Sequence, residues 1–85
     1  MSQVTRLTLV SRSYCHLCTE MEVALRALLA DSGVDVELEV LDVDADPALE
    51  ARYDELVPVL LHAGHELCHY FLEVSKVRDY LSKIR

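Results

Sequence analysis

Apolar positions along this chain recur with two different periods, and the switches between them mark its elements. Arg6-Leu7-Thr8-Leu9-Val10 is short, apolar and β-branched in character, which predicts a first strand. From His16 to Ala30 the apolar residues Leu17, Met21, Ala24, Leu25, Leu28 and Leu29 return at three- and four-residue steps, while Thr19, Glu20, Glu22 and Arg26 fall mostly elsewhere. That spacing predicts an amphipathic helix, ended by Asp31-Ser32-Gly33. Val34, Val36, Leu38 and Val40 then alternate with Asp35, Glu37 and Glu39, the pattern of a half-buried strand with one wet face at a sheet edge. Asp46-Pro47 reads as an N-cap with proline at the first helical position, opening a short helix to about Tyr53 with Leu49 and Tyr53 inward. The unbroken apolar run Val57-Pro58-Val59-Leu60-Leu61 predicts a central strand buried on both faces. Ala63-Gly64 predicts a tight turn into a hairpin partner, His65 to Tyr70. A last helix runs from Leu72 to Arg85, with Val74, Val77, Leu81 and Ile84 at helical spacing and Lys83 and Arg85 at its negative end.

The order is therefore β-α-β-α-β-β-α: a parallel βαβ unit, a hairpin and a closing helix. This is an α/β architecture, a four-stranded mixed sheet flanked by helices, and it is similar to the thioredoxin fold. With 85 residues there is room for one domain, 1–85, and one modest core. Repeats, low-complexity segments and linkers are missing from the sequence.

Charge narrows the functions. Fifteen Asp and Glu against eight Lys and Arg give a formal charge of −7, which repels a phosphate backbone or an anionic lipid surface, so neither nucleic acid nor a membrane is expected as a partner. The first ten residues hold no apolar stretch of signal-peptide length and nothing later reaches a membrane span, so a cytoplasmic location is the expectation. A monomer is expected as well. In a reducing compartment three cysteines do not make a disulfide framework, and a close pair points to redox or metal chemistry.

That pair is Cys15 and Cys18, within Ser13-Tyr14-Cys15-His16-Leu17-Cys18. A strand ending before Cys15 and a helix starting near His16 leave the Cys15 sulfur beside the unpaired amides of a first helical turn. A free cysteine is only about 3% thiolate at neutral pH, whereas helix N-termini and neighbouring cations lower its pKa to roughly 3.5 to 7.5. Arg12 and His16 flank the site as candidate cations. Cys18 falls on the same helix face one turn on and is the more enclosed of the two. Cys15 would attack a target disulfide, and Cys18 would attack the resulting mixed disulfide to release the reduced target.

The segment from Leu9 to Cys18 resembles the glutaredoxin active site, in which a strand runs through a basic residue into Cys-x-x-Cys. Leu56-Val57-Pro58-Val59-Leu60 resembles the second glutaredoxin element, Thr-Val-Pro-x-hydrophobic. Nearly the whole chain is similar to small glutaredoxin-like proteins carrying Cys-His-Leu-Cys and Tyr-x-x-x-Val-Pro-Val, here beginning at Tyr53. The resemblance implies a thiol-disulfide oxidoreductase with Cys15 as nucleophile, Cys18 as resolving thiol and Pro58 as a cis-proline. It further implies that Val57 offers its backbone to the substrate, and that Arg12 matches a lysine that holds a glutathione carboxylate. Substrates would be disulfide-containing proteins or glutathione mixed disulfides, with glutathione as a candidate co-substrate and no tightly bound cofactor. Two departures stand out. His16 replaces the second-position proline, and Cys68-His69-Tyr70-Phe71 stands where the glycines and acid that bind the γ-glutamyl end would be.

Other readings of the same residues remain open at this point. The domain could be a redox-sensing or protein-binding module without turnover, or Cys15 and Cys18 could be half of a zinc site completed from Cys68, His69, His62 or His65. Cys68 reads first as a buried small hydrophobe, and His62 and His65 as solvated residues beside a turn. Arg12 is a substrate contact or a surface charge, and Tyr14 shields the thiols or simply packs. The acidic run Asp42 to Asp46 fits helix capping and solvation better than a metal loop, because it lacks the glycine and terminal glutamate of a calcium-binding loop.

Overall fold

The computed structural model describes residues 5–33 and 35–84, so the expected strand residue Val34 and the helix-terminal Arg85 lie outside the described residues. Strand β1 (Thr5–Ser11) leads into helix α1 (His16–Ser32), strand β2 (Val36–Asp42), a 3-10 turn (Val43–Ala45) and helix α2 (Pro47–Tyr53). Strands β3 (Val59–His62) and β4 (His65–His69) and helix α3 (Val74–Ile84) follow.

The sheet runs β2-β1-β3-β4. Strands β1 and β2 are parallel, with Thr5 opposite Val36 and Ser11 opposite Asp42. The other two pairings are antiparallel, with Val10 opposite Val59 and Leu60 opposite Cys68. Side-chain alternation divides the core between the two faces of the sheet. On one face Leu7, Leu9 and Leu60 pack with Met21, Leu25 and Leu28 of α1 and with Val77 and Leu81 of α3. On the other, Val10, Val59 and Leu61 pack with Val43 and Tyr53, against which Leu49, Leu56 and Val57 lean. The continuous apolar run of β3 is explained by this arrangement, because the strand needs a hydrophobic side chain on both faces.

Backbone chemistry places the boundaries. Gly33 ends α1 at φ 69, a left-handed conformation that costs glycine no Cβ clash. Ala63 and Gly64 both have positive φ, as a two-residue hairpin turn requires. Asp42 accepts from the Asp44 amide and Asp46 from the Ala48 amide, so the acidic run caps two helical starts, as expected from the sequence.

Five expectations are corrected. The central strand begins at Val59 instead of Val57, since Pro58 has no N–H for the ladder; the Val57–Pro58 bond is cis. Strand β4 stops at His69 because Tyr70 turns left-handed, with φ 64. Val74, expected inward, is 42% exposed at the first turn of α3, and Val40 is exposed on the edge strand while Leu41 is half-buried. His62 is half-buried and shares a hydrogen bond with the Tyr80 hydroxyl, whereas His65 is exposed.

Truncation separates core from edge. Leu60→Ala is expected to cost about 2–5 kcal/mol in urea unfolding, and Val40→Thr less than ~0.5 kcal/mol. Equal losses would contradict the packing described.

Candidate active site

The site is assembled where three chain segments leave the same end of the sheet. Because Ser11 lies opposite Asp42 and Val10 opposite Val59, the loop after β1, the turn after β2 and the segment entering β3 emerge side by side. Residues 12–15, 43–46 and 54–58 are brought together although they are far apart in sequence.

Cys15 is the N-cap of α1. Its backbone is extended (φ −110, ψ 110), and its Sγ accepts the Cys18 backbone amide at 3.0 Å. Its carbonyl accepts from the Thr19 amide at 3.2 Å and hydroxyl at 3.3 Å, which locks the first turn. One of the four orphan donors of the helix start is thus satisfied by sulfur. Cys15 and Cys18 form a disulfide with Cα atoms 5.1 Å apart, inside the usual range for such a bond. Cys18 is 3% exposed and Cys15 half-exposed, the asymmetry expected of an outer and an inner sulfur.

An open cleft of about 320 Å³ lies over Cys15, lined by Ser13, Tyr14, His16 and Thr19. Tyr14 is 95% exposed, so it neither packs nor shields the sulfurs. Pro58 is fully buried and Val57 leans on the second core cluster, with the cis bond between them at the entry to β3.

Arg12 sits in a setting the sequence did not suggest. Its Nε and Nη2 each reach a different carboxylate oxygen of Asp44 at 3.0 Å. Nη1 donates to the Asp54 carbonyl at 3.2 Å, and Nη2 also pairs with the Asp54 carboxylate. One guanidinium meets two carboxylates, so the cluster carries a net single negative charge and supplies no uncompensated cation to Cys15. The sequence offers Arg12 as a candidate cation for the field at Cys15; the structure pairs it with two acids and leaves the helix amide as the donor to the sulfur. Both acids raise the Arg12 pKa further, Asp44 most. Asp44 is held below the usual carboxylate range, chiefly by the Arg12 hydrogen bond and against a smaller opposing desolvation.

Sequence reasoning also missed Tyr70. Its hydroxyl donates to the Glu55 carbonyl at 2.7 Å and its amide to the Pro58 carbonyl at 2.9 Å, so it brackets the Val57–Pro58 bond. The nearest signal was the replacement of the resembled family's glycines by Cys68 and His69, directly before Tyr70. Cys68 is buried to 2% in the first core cluster, and burial pushes its thiol pKa up. Among the described residues, no three His, Cys, Asp or Glu side chains converge as a metal-ligand group. Likewise no described helix is long and apolar enough to cross a membrane.

Residues 6–82 match the family model of the glutaredoxin-like domain (DUF836). The chain belongs to this family. Two solved structures align with the glutaredoxin-like domain over nearly its full length. Protein Ne2328 from Nitrosomonas europaea is 38% identical, with a TM-score of 0.79 and 94% of each chain covered. Protein XcR50 from X. campestris is 32% identical, with a TM-score of 0.67, covering 93% of this chain and 99% of its own. A malaria parasite thioredoxin-2, at 18% identity and a TM-score of 0.67 over 98% of this chain and 85% of its own, shares the fold. No curated protein sequence matches the domain significantly.

The Asp44 interaction carries a pH dependence of defined sign. A carboxyl whose pKa is lower folded than unfolded stabilises the fold fully above its unfolded value, near 4, and loses that contribution as pH falls through the folded value. Wild type is therefore expected to exceed Asp44→Asn in denaturation midpoint by a constant margin above about pH 5, narrowing below about pH 4. A margin unchanged at about pH 2 would exclude this role.

Proposed function

We propose that this glutaredoxin-like domain is a thiol-disulfide oxidoreductase that exchanges the Cys15–Cys18 dithiol with disulfides of proteins or of glutathione. The observation that carries the reading is the Cys15 sulfur, half-exposed beneath an open cleft and accepting a helix N-terminal amide, with Cys18 buried behind it within bonding distance.

The chemistry follows from that placement. In the reduced protein the Cys18 N–H and the first-turn dipole favour the thiolate of Cys15. The thiolate attacks one sulfur of the target disulfide, forming a Cys15–target bond and expelling the other target sulfur as a thiolate that takes up a proton. Cys18, deprotonated, then attacks the Cys15 sulfur. The Cys15–Cys18 disulfide forms, the second target sulfur leaves as a thiol, and two electrons have passed from the domain to the target. An external thiol such as glutathione restores the dithiol, and no resident cofactor takes part. Tyr14 at the cleft and the half-buried Val57, ahead of the buried Pro58, are what is offered to the substrate. A cytoplasmic site of action suits a pair that must be re-reduced.

Reduction of insulin or of hydroxyethyl disulfide tests the reading. Cys15→Ser is expected to abolish turnover, and Cys18→Ser to accumulate a mixed disulfide on Cys15 visible by mass spectrometry. Wild type turning over no faster than Cys15→Ser would leave a redox-sensing or protein-binding module instead. The rate of Cys15 alkylation by iodoacetamide is expected to titrate well below the ~8.5 of a free cysteine. A midpoint at that ordinary value would remove the helix-start argument.

A further inference from the structure

We propose that Arg12 is a positioning residue that clamps the Cys15 loop to the segment leading into Val57–Pro58, and is not the ligand of a substrate carboxylate. The inference rests on the reading of Cys15 and Cys18 as an exchanging pair.

Register and spacing support it first. Arg12 lies three residues before Cys15, and Asp54 three residues before Val57. Asp44 follows β2 by two residues, and the parallel pairing of Ser11 with Asp42 brings it level with Arg12. One side chain therefore joins the loop that presents the sulfur, the turn after β2 and the C-terminal end of α2.

Stereochemistry supports it next. A guanidinium has five N–H donors in a planar fork. The Nε and one Nη2 donor hold Asp44 in the bidentate geometry that suits a carboxylate. A second Nη2 donor and one on Nη1 reach the side chain and carbonyl of Asp54. Four of the five donors are thus committed within the protein, and the side chain is only 29% exposed. An incoming carboxylate would find a single Nη1 donor left, could be held bidentately only by displacing Asp44 or Asp54, and would meet a cluster already negative by one charge.

The clamp fixes a geometry that exchange needs. The attacking sulfur must sit in line with the target disulfide, and misplacement by about 1 Å can cost on the order of 100-fold in rate. Arg12 acts on that placement through the backbone on both sides of the site.

Kinetics of Arg12→Met, Arg12→Lys, Asp44→Asn, Asp54→Asn and the double variant Arg12→Met/Asp44→Asn test this, with a neutral substrate (hydroxyethyl disulfide) and an anionic one (glutathione disulfide). A clamp requires Arg12→Met and Asp44→Asn each to lower kcat/KM by about tenfold for both substrates. The double variant should be no worse than either single one, and Arg12→Lys should recover only part of the loss because a single ammonium cannot span both acids. A substrate-ligand role would instead raise KM for glutathione disulfide alone, and Asp44→Asn would improve it; that result overturns the proposal. A role through charge alone would move the Cys15 alkylation midpoint up in Arg12→Met and down in Asp44→Asn, with rates following, and would overturn it equally.

Amide exchange keeps the test independent of turnover and of any one variant's folding. In the oxidised protein, loosening the clamp by Arg12→Lys or Asp54→Asn is expected to speed exchange across 12–15 and 54–57 together. Unchanged exchange in the second segment overturns the clamp. Wild type that reduces neither disulfide sinks the oxidoreductase reading, while the exchange result still decides whether Arg12 joins the two loops.

Discussion

A sulfur accepts the hydrogen bond that a serine or aspartate oxygen accepts at most helix starts, and the arrangement of the site follows from it. The Cys18 amide that needs a partner at the head of α1 finds the Cys15 Sγ, so completing the helix and placing an electron-rich sulfur at its positive end are one interaction. The same turn carries Cys18 inward onto the buried face while Cys15 stays at the surface. A single helical turn thereby separates a surface sulfur from a buried one.

The sheet supplies what the helix cannot. β1 is paired on both sides, parallel to β2 and antiparallel to β3, so the chain segments at one end of all three strands converge. Convergence brings in acid: Asp44 from the turn after β2 and Asp54 from the end of α2. Arg12 is the cation they share. A chain with net charge −7 has few cations to spare, and this one is spent on holding loops together. Tyr70 makes a comparable link on the far side of the Val57–Pro58 bond through its hydroxyl and its amide. The irregular segments around Cys15 are thus tied down by polar contacts while the regular elements rest on the two apolar clusters.

Much of this was legible beforehand because it is local. The three- and four-residue steps from Leu17 to Leu29 specify a helix face without reference to any other element. Asp46 with Pro47 announces a helix start from two consecutive positions, and β3 betrays its central place by having no polar side to turn outward. Where the reading slipped, the cause was a neighbour. Val74 has helical spacing but occupies the first turn of α3, with the core beginning at Val77. His62 looks like a turn residue until Tyr80 of α3 folds over it.

By itself the sequence determined the element order, the βαβ start, the cysteine at the head of a helix and the depth difference between Cys15 and Cys18, because each depends on spacings of a few residues. The burial of Cys68 was likewise read beforehand, whereas only the tertiary structure decided the environment of Arg12 and the bracketing of Pro58 by Tyr70. Those contacts join residues separated by up to 42 positions, and no periodicity encodes which side chains strand register will set face to face. The physical reason is that capping and amphipathicity are properties of one segment, whereas charge compensation belongs to whatever the sheet brings together.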